Sequence, residues 1–129
     1  MGRWRDGRAK LVVHGAGDGA EGPAVTVPLE LATSYRARTR GLLGRDGIDG
    51  AILLSPASSV HTFRMRFAID VACLDRNLNV LTVQTLKPGR LTLPRLRARH
   101  VLESGAGTMA GWGLRPGARV TVEHSTQVP

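Results

Sequence analysis

The chain holds one cysteine, five aromatic residues and two lysines in 129 positions. Each scarcity excludes something. A lone thiol, Cys73, rules out an internal disulfide and a thiolate zinc cage. With aromatics at 4%, the core must be built from Leu, Val, Ile and Ala, and Phe63, Phe67 and Trp112 should matter to it beyond their number. Long apolar runs are missing too. No span approaches a membrane helix, and residues 1–13 contain no apolar run of about seven or more of the kind a signal peptide needs. The expected location is cytoplasmic, without a membrane partner.

Arginine takes the place of lysine: 16 of the 18 cations are Arg, and the formal net charge is +8. The planar guanidinium fork suits phosphate or carboxylate, so a basic chain of this kind invites a polyanion or an anionic ligand. The arginines are spread along the chain and not massed in one block, and biased base composition accounts for them better.

At 129 residues the chain reads as one domain, 1–129, able to bury roughly two thirds of its unfolded surface. The globular part is expected from about 8 to 124, with flexible ends, fraying at 1–7 and a Gly-rich loop at 15–23. Strands are predicted over 9–14 and 24–31, the second with Pro28 marking an edge or a bulge. A helix capped by Thr33 or Ser34 follows, with Tyr35, Thr39, Leu42 and Leu43 on one side and Gly44 ending it. Gly41 in its last turn costs about 1 kcal/mol relative to Ala, which marks a close backbone approach. A short apolar strand covers 51–54, and 80–86 returns from a turn at 75–79 in which Asn takes positive φ. Arg95, Arg97 and Arg99 alternate with Leu96, Ala98 and His100 in a run continuing through 101–103. A short helix spans 108–112, with Thr108 as its cap, and a last strand 118–122. The fold class is α+β: a small curved or barrel-like, mainly antiparallel or mixed β-sheet with one main helix and a short late helix.

The stretch from His61 to Asp75 organises the rest. Phe63, Met65, Phe67, Ile69, Val71 and Cys73 alternate with Thr62, Arg64, Arg66 and Asp70, the pattern of a strand with one buried face. A single strand over 63–73 would run about 35 Å, roughly twice the usual length. A break is therefore expected near 66–68, with the regular strand over 69–74. Cys73 on the apolar face should be a buried, inert thiol.

Arg40-Gly41-Leu42-Leu43-Gly44-Arg45, then Thr62-Phe63-Arg64-Met65 leading into Ile69-Asp70, then Val101-Leu102-Glu103 and Gly113-Leu114-Arg115-Pro116-Gly117, in that order, resemble the DUF192 family. The resemblance runs from about residue 25 to 122. Leu43 stands where the family pattern has methionine, Ala68 where it has proline, and Ala118 where it has aspartate. The resemblance implies a compact α+β domain with a barrel-like sheet and no settled activity.

Three constellations carry possible chemistry. The first is His61, Arg64, Arg66 and Asp70. A carboxylate in the run Ile69–Cys73 costs several kcal/mol unless paired, so Asp70 needs an arginine, backbone N–H groups or a role. The second is Arg40 and Arg45, which flank the helix end and could complete an anion site or simply solvate it. The third, Arg95, Arg97 and Arg99, lacks the interleaved aromatics of a single-strand binder and reads as a solvated face. His14, His61, His100 and His124 show no ligand spacing, and neither Ser58 nor Ser59 sits in a nucleophile elbow.

The expectation is a small anionic ligand in a polar pocket of Arg40, Arg45, His61, Thr62, Arg64, Met65, Arg66 and Asp70. The alternatives are an enzyme, such as a hydrolase, with His61 as general base oriented by Asp70, and a nucleic-acid accessory protein resting on charge alone. No metal and no cofactor are expected.

Overall fold

A computed structural model describes residues 4–15 and 24–124. The strands are β1 (Gly7–His14), β2 (Val25–Ala32), β3 (Ala51–Leu54), β4 (Ile69–Leu74), β5 (Val80–Leu86), β6 (His100–Gly105) and β7 (Arg119–His124). Two short helices accompany them, α1 (Tyr35–Arg40) and α2 (Thr108–Gly111). The predicted Gly-rich loop falls largely outside the described residues.

The strands form one mixed sheet in the order β5-β4-β6-β3-β2-β1-β7. Only β2 and β3 run parallel, and α1 lies on the crossover between them. The sheet curls until its outer strands meet at one end. Asn79 bridges Arg119, and Val80 donates its N–H to the Ala118 carbonyl at 2.8 Å.

Period-two patterning sorts the side chains into two cores. Inside the curl lie Leu11, Leu29, Leu53, Ala72, Leu74, Leu102 and Val120, with Met109 of α2 among them. On the opposite face, Ile52, Leu54, Ile69, Val71, Cys73 and Val101 pack with Leu42, Val60 and Met65 from the covering segments. Both faces of β3, β4 and β6 are thus covered. Every residue of β4 is buried, so the expected strand with one buried face is a strand buried on two. Its limits, Ile69–Leu74, follow a break at which Arg64 takes φ +64°. Phe63 stays in that break and is 47% exposed, outside the core it was expected to build, while Cys73 is buried.

Other expectations needed correcting. β2 is an interior strand, not an edge. Its Pro28 is tolerated because pairing with β3 begins one residue later, at Leu29↔Ala51. Gly50 packs so closely there that a Cβ would lie 2.1 Å from the Pro28 carbonyl oxygen. The run 95–103 is not one strand, since β6 begins at His100 and Leu96 is 92% exposed. In the turn 75–79 it is Leu78, not an Asn, that takes positive φ. The Asp75 carboxylate accepts the N–H groups of Asn77 and Asn79, both at 2.9 Å, and pins the turn. Among the described residues no helix is long and apolar enough to cross a membrane.

Candidate functional site

α1 is only six residues long, so its own hydrogen bonds cannot hold it and capping must. Ser34 Oγ accepts the Ala37 N–H at 3.1 Å. The Asp6 carboxylate, from a segment expected to fray, accepts the N–H groups of Thr33 at 2.6 Å and Ser34 at 3.0 Å. Those bonds, with the Ser34 hydroxyl foremost, hold the Asp6 carboxyl far below the usual carboxylate range. The helix ends at Gly41, not Gly44, with φ +46° and ψ −123°, a backbone shape open in practice to glycine alone.

That early end leaves a cleft of about 380 Å³ between α1 and the segment 56–61. Tyr35, Arg38 and Arg40 line it from the helix, Ser58, Ser59 and His61 from the facing segment, and Leu54, Met65 and Glu103 from below. Arg38 spans the two walls, donating from Nε to the Thr33 carbonyl and from Nη1 to the Pro56 carbonyl, both at 3.2 Å. Arg40 and His61 are exposed. The His61 ring stacks on Phe63, centroids 5.1 Å apart, and its Nδ1 accepts the Phe63 N–H at 3.3 Å. In the neutral ring the proton then sits on Nε2.

Glu103 is the residue that sequence reasoning missed. On β6 it shares a face with Val101, beneath Gly41, and a Cβ at position 41 would lie 3.7 Å from its Oε1. The residue is 5% exposed, its carboxylate is in no hydrogen bond with the described residues, and its oxygens are not sealed from the cleft. Burial raises its pKa from the ordinary 4.5 to about 7. The signal was present: Glu103 follows Val101-Leu102 in an apolar run, the same kind of position that drew attention to Asp70.

Of the sequence candidates, Arg40, His61 and Met65 line this cleft. The others are engaged elsewhere. Arg45 grips Glu30 of β2 through two bonds of 2.7 and 2.8 Å, and this pairing lowers the Glu30 pKa and raises that of Arg45. Arg66 meets Asp46 at 3.1 Å, with both side chains largely in solvent. Arg64 occupies the exposed turn at the break. Thr62, wholly buried, donates its hydroxyl to the Lys87 carbonyl and accepts the Arg90 N–H, both at 2.7 Å, and so ties two loops together.

Asp70 faces the inner core. Its Oδ1 accepts the Thr85 hydroxyl at 2.6 Å and its Oδ2 the Met109 N–H at 3.1 Å. It therefore caps α2 from β4, where Gly107 occupies the N-cap position and no side chain of the helix segment, Thr108 included, supplies the cap. No arginine pairs with it among the described residues, and the sheet separates it from His61.

A small curled sheet with one helix plugging its end and another walling an outer cleft defines the class of domain. The chain belongs to the DUF192 family, described as "Uncharacterized ACR", whose model matches residues 18–122. It is 34% identical over 84 residues to the UPF0127 protein PH1112 of Pyrococcus horikoshii, covering 61% of this chain and 73% of that one. It is 29% identical over 105 residues to the UPF0127 protein PF1050 of Pyrococcus furiosus, covering 78% and 90%. Its fold is similar to the crystal structure of a "putative transcription regulator" from Sinorhizobium meliloti 1021, with a TM-score of 0.79 at 20% identity over 94% of this chain and 98% of that one.

Proposed function

We propose that this domain binds a small anionic molecule in the cleft beside α1. The observation that carries the reading is the basic wall: Arg38 and Arg40 line one cavity together with His61 and the hydroxyl-bearing Ser58, Ser59 and Tyr35. Arg38 is held by two backbone carbonyls, so part of its ordering cost is met before a ligand arrives. A cavity of about 380 Å³ suits a metabolite and not a polymer. In this reading Arg40 and His61 contact the ligand, and Arg38 joins them in place of Arg45, which Glu30 already neutralises.

Thermal-shift measurements with acetate, succinate, citrate and inorganic phosphate at about 10 mM test this directly. At least one anion is expected to raise the melting temperature by about 2 °C or more, and Arg40→Gln to remove most of that rise. A wild-type protein indifferent to all four would overturn the reading.

A second reading, enzymatic, rests on one observation. Glu103 holds its proton up to about pH 7 in the same cleft as His61, Ser58 and Ser59, which suits general acid–base work. Asp70 has no part in it, since it faces the other core. Loss of turnover in Glu103→Gln with ligand binding retained would separate this reading from simple binding.

A further inference from the structure

We propose that the ligand of this cleft is zwitterionic, a small amino acid-like molecule whose cationic nitrogen is held by the Glu103 carboxylate and whose acidic group faces Arg38 and Arg40. The inference rests on the anion-binding reading and adds the chemistry of the ligand's other end.

The cleft is polar at two levels, with opposite signs. Two cations, Arg38 and Arg40 from α1, line its walls with His61 from the facing segment. Among the described residues Glu103 is the one acidic residue lining it. The residue is only 5% exposed, yet its carboxylate oxygens open onto the cleft and no described side chain bonds them, so a donor on a ligand can reach them. Arg38 donates from Nε and Nη1 to the carbonyls of Thr33 and Pro56, which leaves other N–H groups free, and it makes no hydrogen bond to Glu103. Across the sheet Glu103 stands beside Ile52 and Val71, which offer it no donor. Gly41, above it, has no side chain to offer.

A ligand that is only an anion would add a second negative charge to this floor, or force Glu103 to stay protonated. A ligand ammonium does the reverse: it donates charge-assisted hydrogen bonds to the carboxylate and stabilises its ionised form. The two ligand types therefore move protons in opposite directions. A zwitterion releases a proton from Glu103 near neutral pH, and a plain anion favours uptake. Among the described residues Tyr35, Arg38 and Arg40 of α1 and His61 are the other ionisable groups lining the cavity, and of these His61 is the one whose exchange needs a control.

Isothermal calorimetry with matched pairs decides the matter. The probes are glycine, β-alanine, γ-aminobutyrate, δ-aminovalerate and ε-aminocaproate, each set against the carboxylate of equal chain length, acetate to hexanoate. At least one amino member is expected to bind about tenfold or more tightly than its partner. Titration at pH 7 in two buffers of different ionisation enthalpy should show proton release on binding. Glu103→Gln should abolish both the tenfold preference and the release, whereas His61→Gln should weaken amino and plain carboxylates alike and leave their ratio and the release in place. Carboxylates that bind as well as their amino counterparts, with proton uptake or none, would overturn the zwitterion and leave the anion cleft standing. If no member of either series binds and the four anions of the thermal-shift test are also without effect, both readings fall together.

Discussion

Asp70 and Glu103 lie on adjoining strands, one register step apart: Asp70 pairs with Ser104, and Glu103 with Val71. Both are nearly removed from solvent, at 3% and 5% exposure. One alternation of the chain sends them to opposite faces, and there the likeness ends. Asp70 meets a hydroxyl and a helix N–H that need an acceptor. Glu103 meets apolar side chains and a cleft. A buried carboxylate is structural when the fold aims donors at it. It becomes available for work when the fold withholds them.

Removing each carboxylate in turn sharpens that contrast. Asp70→Ala strips the cap from α2 and leaves a buried N–H without its partner, and a loss of about 3 kcal/mol is expected in urea unfolding. Binding in the cleft should survive wherever the variant is folded, because the sheet separates the two. Glu103→Gln should show its effect through pH. The folded chain keeps the Glu103 proton where the unfolded chain has lost it. This group's stabilising contribution is therefore complete below about pH 4.5 and is lost as pH rises through about 7. Relative to wild type, the Gln variant should gain about 3 kcal/mol between pH 4.5 and 8.5, at about 1.4 kcal/mol per pKa unit. Parallel stability curves for the two proteins would refute the picture of an unpartnered carboxyl.

The smallest expected effect concerns a carboxylate of a third kind, half-exposed and paired. Arg45→Ala breaks the two bonds to Glu30, and after allowance for solvent screening a loss of about 1 kcal/mol is expected at neutral pH. Because Arg45 depresses the Glu30 pKa, this loss should be present above pH 4.5 and fade as the solution is acidified through the folded value. A loss as large as that of Asp70→Ala would mean that exposure matters less than the contrast supposes.

Much of the fold could be read from local pattern. Apolar residues bounded by turn chemistry marked Ala51–Leu54, Ile69–Leu74 and Val80–Leu86, and strand length alone placed the break before Ile69. What failed was whatever depends on contacts remote in sequence. Pro28 looked like an edge because nothing local says that its neighbour strand starts one residue further on. Asp6 looked like part of a fraying end because its partners, Thr33 and Ser34, lie 27 and 28 positions away. The site divided the same way. Cost pointed to Asp70 as a residue needing partners, which it has, but only the pairing of β6 with β3 and β4 beneath α1 gathers Glu103, Arg38, Arg40 and His61 around one cavity.

The pairing of β1 with β7 has a consequence in time. His14 and Thr121 hydrogen-bond across 107 positions, and β1 from Ala9 to His14 waits for that partner. Closing so long a loop is slow, and a fold dominated by such pairings completes late. On the ribosome, β1 is made first and paired on one side by β2 within a short span, yet its other edge stays open until β7 emerges. During that interval it is an unpaired strand edge, the feature that most readily recruits a wrong neighbour. Lys10 and Arg8 on β1, exposed in the finished sheet, place charge along that edge for as long as the chain is incomplete.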